Sequence, residues 1–154
     1  IQLSGGAVSN DANHISGPSR TGQELHQAIE AAVKEAGMDK GTIDFISAHG
    51  TATVYNDEME SKAITLSGLQ QVPVNSLKGY YGHTLGAAGL IETVACVHSL
   101  HENVILPTPG FEKPGTTQPL HVNNVLQTGV YRNCLKTASG FGGCNAAIIL
   151  QKTP

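Results

Sequence analysis

The sequence predicts a layered α/β domain built around a largely buried sheet, and three observations predict it. Short apolar runs at residues 43–48 and 72–76 alternate with segments of helical periodicity. The segment 86–101 is small at its start and apolar throughout, as a buried helix is. Two further strand-like runs, 130–138 and 145–151, flank a glycine turn.

The elements follow in order. Residues 1–8 read as a strand, and 9–22 as a polar loop holding Asn10-Asp11 and Gly17-Pro18-Ser19. A helix is predicted over 21–36, where Leu25, Ile29, Ala32, Val33 and Ala36 share one face. Thr21 and Glu24 have the spacing of a capping box, and Gly37 ends the helix. After the strand at 43–48, Asn56-Asp57 opens a second helix through Leu66, with Asp57 as its cap and Glu60 three residues on. A strand at 72–76 leads into Lys78. The third helix, 86–101, is expected to be sandwiched between layers. Pro107, Pro109, Pro114 and Pro119 mark an irregular connector before the last two strands.

At 154 residues the chain is one domain, 1–154, long enough for a sizeable core. A net charge of −3 gives no electrostatic case for nucleic acid or an anionic membrane. Only 14% of residues are charged and 18 are glycine, a balance expected where much of the surface meets a partner. Cys96, Cys134 and Cys144 are odd in number and lack a CxxC spacing, so a reduced, cytoplasmic setting is expected. No apolar run approaches the length of a membrane span. The start, Ile1-Gln2-Leu3, reads as mid-strand, and the chain is expected to be the second half of a larger unit.

Chemistry concentrates in three frames: His49-Gly50-Thr51-Ala52-Thr53 with Asn56-Asp57, Lys78-Gly79-Tyr80-Tyr81-Gly82-His83, and Gly140-Phe141-Gly142-Gly143. Both histidines follow a predicted strand, where open α/β sheets place ligands. A neutral imidazole donates a hydrogen bond to charge developing on oxygen, so two converging histidines suit a reaction through an enolate. Zinc fits poorly: there is no HExxH and no carboxylate at ligand spacing, so no metal is expected. His26, His98, His101 and His121 read as surface or satisfied core residues.

Glu92 lies in an apolar helix and needs a counter-charge. A Lys78–Glu92 pair would position the His83 loop and bias its proton state; the alternative is two unrelated surface charges. Thr51 and Thr53 alternate along an extended segment, which would turn both hydroxyls toward one groove and an amide-rich ligand, or else leave them as ordinary turn residues. The GxGG turn is not a dinucleotide fingerprint, since no helix follows it. Its glycines either admit backbone N–H groups to a ligand oxygen or form a plain turn.

Together, His49-Gly-Thr-Ala-Thr…Asn56-Asp57, Lys78-Gly-Tyr-Tyr-Gly-His83-Thr-Leu-Gly-Ala-Ala-Gly89, Gly140-Phe-Gly-Gly-Cys-Asn145 and Ser9-Asn-Asp-Ala-Asn-His14 resemble the motifs of the β-ketoacyl-acyl-carrier-protein synthases of the KAS I/II type. The resemblance covers nearly the whole chain, in order. It implies the C-terminal half of a thiolase-like αβαβα fold. It also implies decarboxylative Claisen condensation of an acyl thioester with malonyl-acyl-carrier protein, in fatty acid or polyketide synthesis.

By that resemblance His49 and His83 assist decarboxylation and stabilise the enolate, Lys78 is the motif lysine, and Glu92 is its partner. The Phe141 N–H is an oxyanion donor and its ring gates the acyl pocket. Ser16, Thr51 and Thr53 line a pantetheine channel, and Gly142 is a substrate-binding position. No cofactor is implied beyond the phosphopantetheine carried by the acyl carrier protein. The partners implied are that carrier, an N-terminal half bearing the nucleophilic cysteine, and a second ketosynthase copy or paralogue in a homodimer or heterodimer.

The chain departs from the family pattern at several points. Thr137-Ala138-Ser139 replaces NSF, Ser47 stands where Asn is common and so weakens a family cation site, and Tyr80-Tyr81 is bulky beside His83. None of the three cysteines sits where the family's nucleophile would. Two rival readings are a thiolase with Cys144 as base, and a non-catalytic partner resembling a chain-length factor. Thiolases lack the HGTxT…ND frame, and chain-length-factor relatives usually lose the histidines that this chain retains.

Overall fold

Strands β6 (Asn133–Gly140) and β7 (Cys144–Gln151) form the hairpin on which the fold is built, paired from Asn133–Gln151 to Gly140–Cys144. In this computed structural model, which describes residues 1–153, β1 (Gln2–Asn10) pairs antiparallel with the outer side of β7. On the other side β2 (Phe45–Ser47) runs parallel to β6 and to β3 (Val74–Asn75). The resulting sheet has the order β1-β7-β6-β2-β3.

Side chains sort by the period of two along each strand. Leu135, Ala147, Ile149 and Ile46 enter one core with α1 (Gln23–Glu35) and α2 (Val54–Leu66). Cys134, Leu150 and Phe45 enter a second core with Cys96 and Leu100 of α4 (Ala88–Glu102). The central sheet is therefore covered on both faces, which is why β2 reads as part of an apolar run. A one-turn helix α3 (Lys78–Tyr81) follows β3, and a short ribbon of β4 (Val104–Ile105) with β5 (Gln127–Thr128) lies outside the sheet. Among the described residues no helix is long and apolar enough to cross a membrane.

The structure corrects three sequence expectations. The Thr21–Glu24 capping box does not form: the N-cap of α1 is Gly22, with no side-chain cap bond, and the Thr21 hydroxyl instead accepts from Gln23 N at 3.3 Å. Helix packing decides this. At Gly22 the start of α1 crosses α2 so closely that a Cβ would lie 2.6 Å from Met59 O and 2.7 Å from Ala63 N.

Asp57 does not cap α2 either, because that helix begins at Val54 with Thr53 as its N-cap. Finally, α4 is covered on one face only. Ala88, Glu92, Cys96, Ser99 and Leu100 are buried, whereas Leu90, Ile91 and Val94 are exposed.

Gly22 also has φ 73°, so a side chain there meets backbone strain as well as a clash. Gly22→Ala is expected to destabilise the fold by about 3 kcal/mol. The check is the urea midpoint, which should fall without a change in the slope of unfolding free energy on denaturant.

Candidate active site

The His49 loop leaves β2 and is held from beneath by a carboxylate. Glu60 of α2 is buried and accepts from His49 N at 2.8 Å, Gly50 N at 2.6 Å, Asn56 Nδ2 at 2.9 Å and Thr137 Oγ1 at 3.0 Å. Asp57 adds an acceptor for Thr51 N at 3.2 Å. It thus ties the loop back to α2, which replaces the capping role expected for it. Burial raises the Asp57 carboxyl above the usual range, against hydrogen bonds from Asn56 and from the Thr51 and Ala52 backbone that favour its charge.

At Gly50, with φ 42°, a Cβ would come within 2.6 Å of the Ser76 side chain, whose hydroxyl donates to Gly50 O at 2.7 Å. Only glycine lets the two loops approach this closely. Ala52 takes φ 57°, so Thr51–Thr53 is not the extended segment expected. The two hydroxyls nevertheless meet, 2.7 Å apart, because the left-handed turn brings them to one side.

Behind the loop lies a buried ion cluster. Glu92 has no exposed side-chain surface, and its Oε1 accepts from Lys78 Nζ at 2.5 Å. Its Oε2 lies 2.6 Å from Lys136 Nζ, an ion pair without hydrogen-bond geometry. Lys78 also donates to His49 O and lies 3.2 Å from His49 Nδ1. The Lys78–Glu92 pair therefore forms as expected, but it serves His49 rather than the His83 loop. Burial lowers the Lys78 pKa, and Glu92 acts against that shift.

The two imidazoles stand edge to face with ring centroids 5.1 Å apart. His83 Nδ1 accepts from Leu85 N at 3.0 Å, so the neutral ring carries its proton on Nε2. His49 Nδ1 faces the Lys78 ammonium, which assigns its proton to Nε2 in the same way. Burial pushes His49 down to about 4; Glu60 and Glu92 act to raise it, and Lys78 and Lys136 to lower it. Both rings are thus arranged as neutral Nε2 donors.

Both rings line one cavity of about 660 Å³, with Thr51, Thr53, Ser16, His14 and Phe141. Phe141 is 84% exposed, and its ring stands at the edge of the site. Gly142 does not line the cavity, and its N–H donates to Ile15 O at 2.7 Å, which pins the 11–18 loop to the glycine turn. That bond occupies the N–H of Gly142, the residue given above as a substrate-binding position. Cys96 and Cys134 are buried, and the exposed Cys144 is not a lining residue, which counts against Cys144 as a base.

Three residues escaped sequence reasoning. Glu60 has the spacing of a capping acid, and the same spacing serves a carboxylate reaching back to a loop. Lys136 carried a usable signal: period-two alternation puts it on the same face of β6 as Cys134, the face toward α4. His14 gave none beyond its place in a resemblance motif; its Nδ1 accepts from Ser16 N at 3.2 Å.

The His49 geometry sets a pH dependence. The unfolded chain binds a proton on His49 below about 6.5, and the folded chain only below about 4. Between those values the unfolded state binds more protons, so stability falls as the pH falls, by about 3 kcal/mol across the window. Asp57, with its carboxyl raised, acts in the opposite sense. His49→Gln is therefore expected to flatten the acid limb of stability between pH 6.5 and 4, as measured by urea unfolding at stepped pH. An unchanged slope would contradict a buried neutral His49.

The model of the family described as beta-ketoacyl synthase, C-terminal domain, matches residues 2–112. A putative polyketide β-ketoacyl synthase of Streptomyces halstedii is 37% identical over 153 residues, covering 97% of this chain and 36% of that protein. A 3-oxoacyl-[acyl-carrier-protein] synthase 2 of Vibrio cholerae is 35% identical, covering 98% of this chain and 38% of that one. Among solved structures, a type II polyketide ketosynthase, in complex with its acyl-carrier protein and bound to the hexaketide, superposes with a TM-score of 0.88 at 31% identity; the match covers 98% of this chain and 38% of that one. The chain thus spans little more than a third of the length of these relatives. With the two histidine frames and the two-faced mixed sheet in place, these matches show that the chain belongs to the β-ketoacyl synthase family and has the C-terminal half of its thiolase-like fold.

Proposed function

We propose that this chain forms the decarboxylating side of a ketosynthase that condenses an acyl thioester with a malonyl thioester. The observation that carries the reading is the pair of neutral imidazoles, each with Nδ1 engaged, which aim their chemistry at one cavity. The malonyl thioester oxygen accepts hydrogen bonds from Nε2–H of His49 and His83. As the bond to the carboxylate breaks and CO₂ leaves, its electron pair moves into the thioester to give an enolate, whose charge those donors stabilise. The enolate carbon then attacks the acyl thioester carbonyl, and the cysteine thiolate is expelled. Phe141 N–H serves as an oxyanion donor in that second step.

Cys96 and Cys134 are buried and Cys144 lies off the cavity, so in this proposal the acyl group rides on a cysteine outside these 154 residues. The malonyl unit arrives on an acyl carrier protein, its phosphopantetheine arm lying along Ser16, Thr51 and Thr53, with the Phe141 ring at the entrance. The carrier-bound ketosynthase among the structural relatives supports that partner. Retention of both histidines with their ring nitrogens held favours this reading over a non-catalytic partner subunit.

His83→Ala in the full-length condensing enzyme removes one of two donors to the enolate oxygen. Malonyl decarboxylation is expected to fall by about 10²-fold or more, while acylation of the nucleophile by an acyl thioester stays near the wild-type rate. Decarboxylation at the wild-type rate would overturn the role given to His83.

A further inference from the structure

Lys136 has no role in the mechanism above, yet it is the most enclosed cation in the site. It lies on β6 at 2% exposure. Its ammonium reaches Ser47 O and Ala48 O at 3.2 Å, Thr137 O at 2.5 Å and Glu92 Oε2 at 2.6 Å. Its three N–H donors serve the three carbonyls, and Glu92 Oε2 is held by charge alone. The head group is thereby enclosed by oxygens from the β2 end, β6 and α4. Two of its carbonyls belong to the residues just before His49.

The charges around His49 balance only if Lys136 is counted. Glu60 approaches from α2, Lys78 from α3, Glu92 from α4 and Lys136 from β6, with His83 edge-on beside the ring. Two carboxylates face two ammonium groups. Without Lys136 the carboxylates outnumber the lysines in a buried site, and a proton taken up by the His49 imidazole would restore neutrality. An imidazolium would lose the Lys78 contact at Nδ1, because both nitrogens would then be donors.

We propose that Lys136 is a positioning residue of the condensing site, a built-in cation that anchors the end of β2 to Glu92 and keeps His49 from being recruited as the counter-ion. The inference rests on the ketosynthase reading only where it concerns turnover. Its claim about the His49 proton stands on the charge cluster itself.

The test uses the full-length protein with Lys136→Gln, which keeps an amide donor for the carbonyls but no charge, and Lys136→Arg, which keeps the charge. His49 is titrated by ¹⁵N-histidine NMR, and malonyl decarboxylation is followed against pH. In Lys136→Gln the His49 midpoint is expected to rise by about one pH unit, with the acid limb of decarboxylation moving with it. In Lys136→Arg both are expected to stay at wild-type values.

A Gln variant whose His49 midpoint does not move would overturn the proposal. So would an Arg variant shifted as far as the Gln variant. Should Lys136→Gln fail to fold, the Arg midpoint alone decides. A wild-type enzyme that leaves malonyl thioesters intact would refute the condensing reading, and the NMR titration would still judge Lys136.

Discussion

A full negative charge with no exposed surface organises this site. Glu92 is taken out of water completely, which costs several kcal/mol unless the charge is compensated at close range. Compensation comes from two lysines of separate elements, Lys78 after β3 and Lys136 within β6, so the carboxylate joins α4 to both sides of β2. Lys78 then contacts the His49 ring and backbone, and Lys136 the carbonyls of Ser47 and Ala48. The position of one histidine depends in this way on a charge one helix away. Replacing Glu92 by an apolar residue of similar size would leave two ammonium groups side by side in the interior.

Preorganisation of the loop follows from a second buried carboxylate. Glu60 takes the N–H groups of His49 and Gly50, which would otherwise be unpaired donors in a sharp turn. Held from below by Glu60 and from behind by Lys78, the imidazole keeps little freedom. Electrostatic catalysis by hydrogen-bond donors needs this condition, because a donor that must reorient during reaction gives back part of its benefit. His83 is fixed by a local device, the Leu85 N–H on Nδ1, and stands more exposed.

What could be read from the sequence divides along physical lines. The apolar face of α1 was legible because Leu25, Ile29, Ala32 and Val33 repeat at the helical period, and the two-sided burial of β2 was legible as the apolar run 43–48. Helix starts were misread because Gly22 answers to the packing of α1 on α2, and Asp57 to the Thr51 N–H six residues back, rather than to a helix cap. The β4–β5 ribbon is too short to show alternation. Of the site, the residues in glycine-framed motifs were found, and Glu60 and Lys136 were not. Those two act through contacts with residues distant in sequence, such as Thr137 Oγ1 on Glu60 and Glu92 on Lys136.

The Thr51–Thr53 hydroxyl pair bears on the proposed turnover. The two side chains satisfy each other at 2.7 Å. An incoming amide exchanges that bond for another of similar strength, so the contact orients the arm and adds little net affinity. On the proposed reading, a carrier that must depart after every cycle would meet a wall that guides it in and does not retain it, with residence time left to interactions elsewhere on the surface.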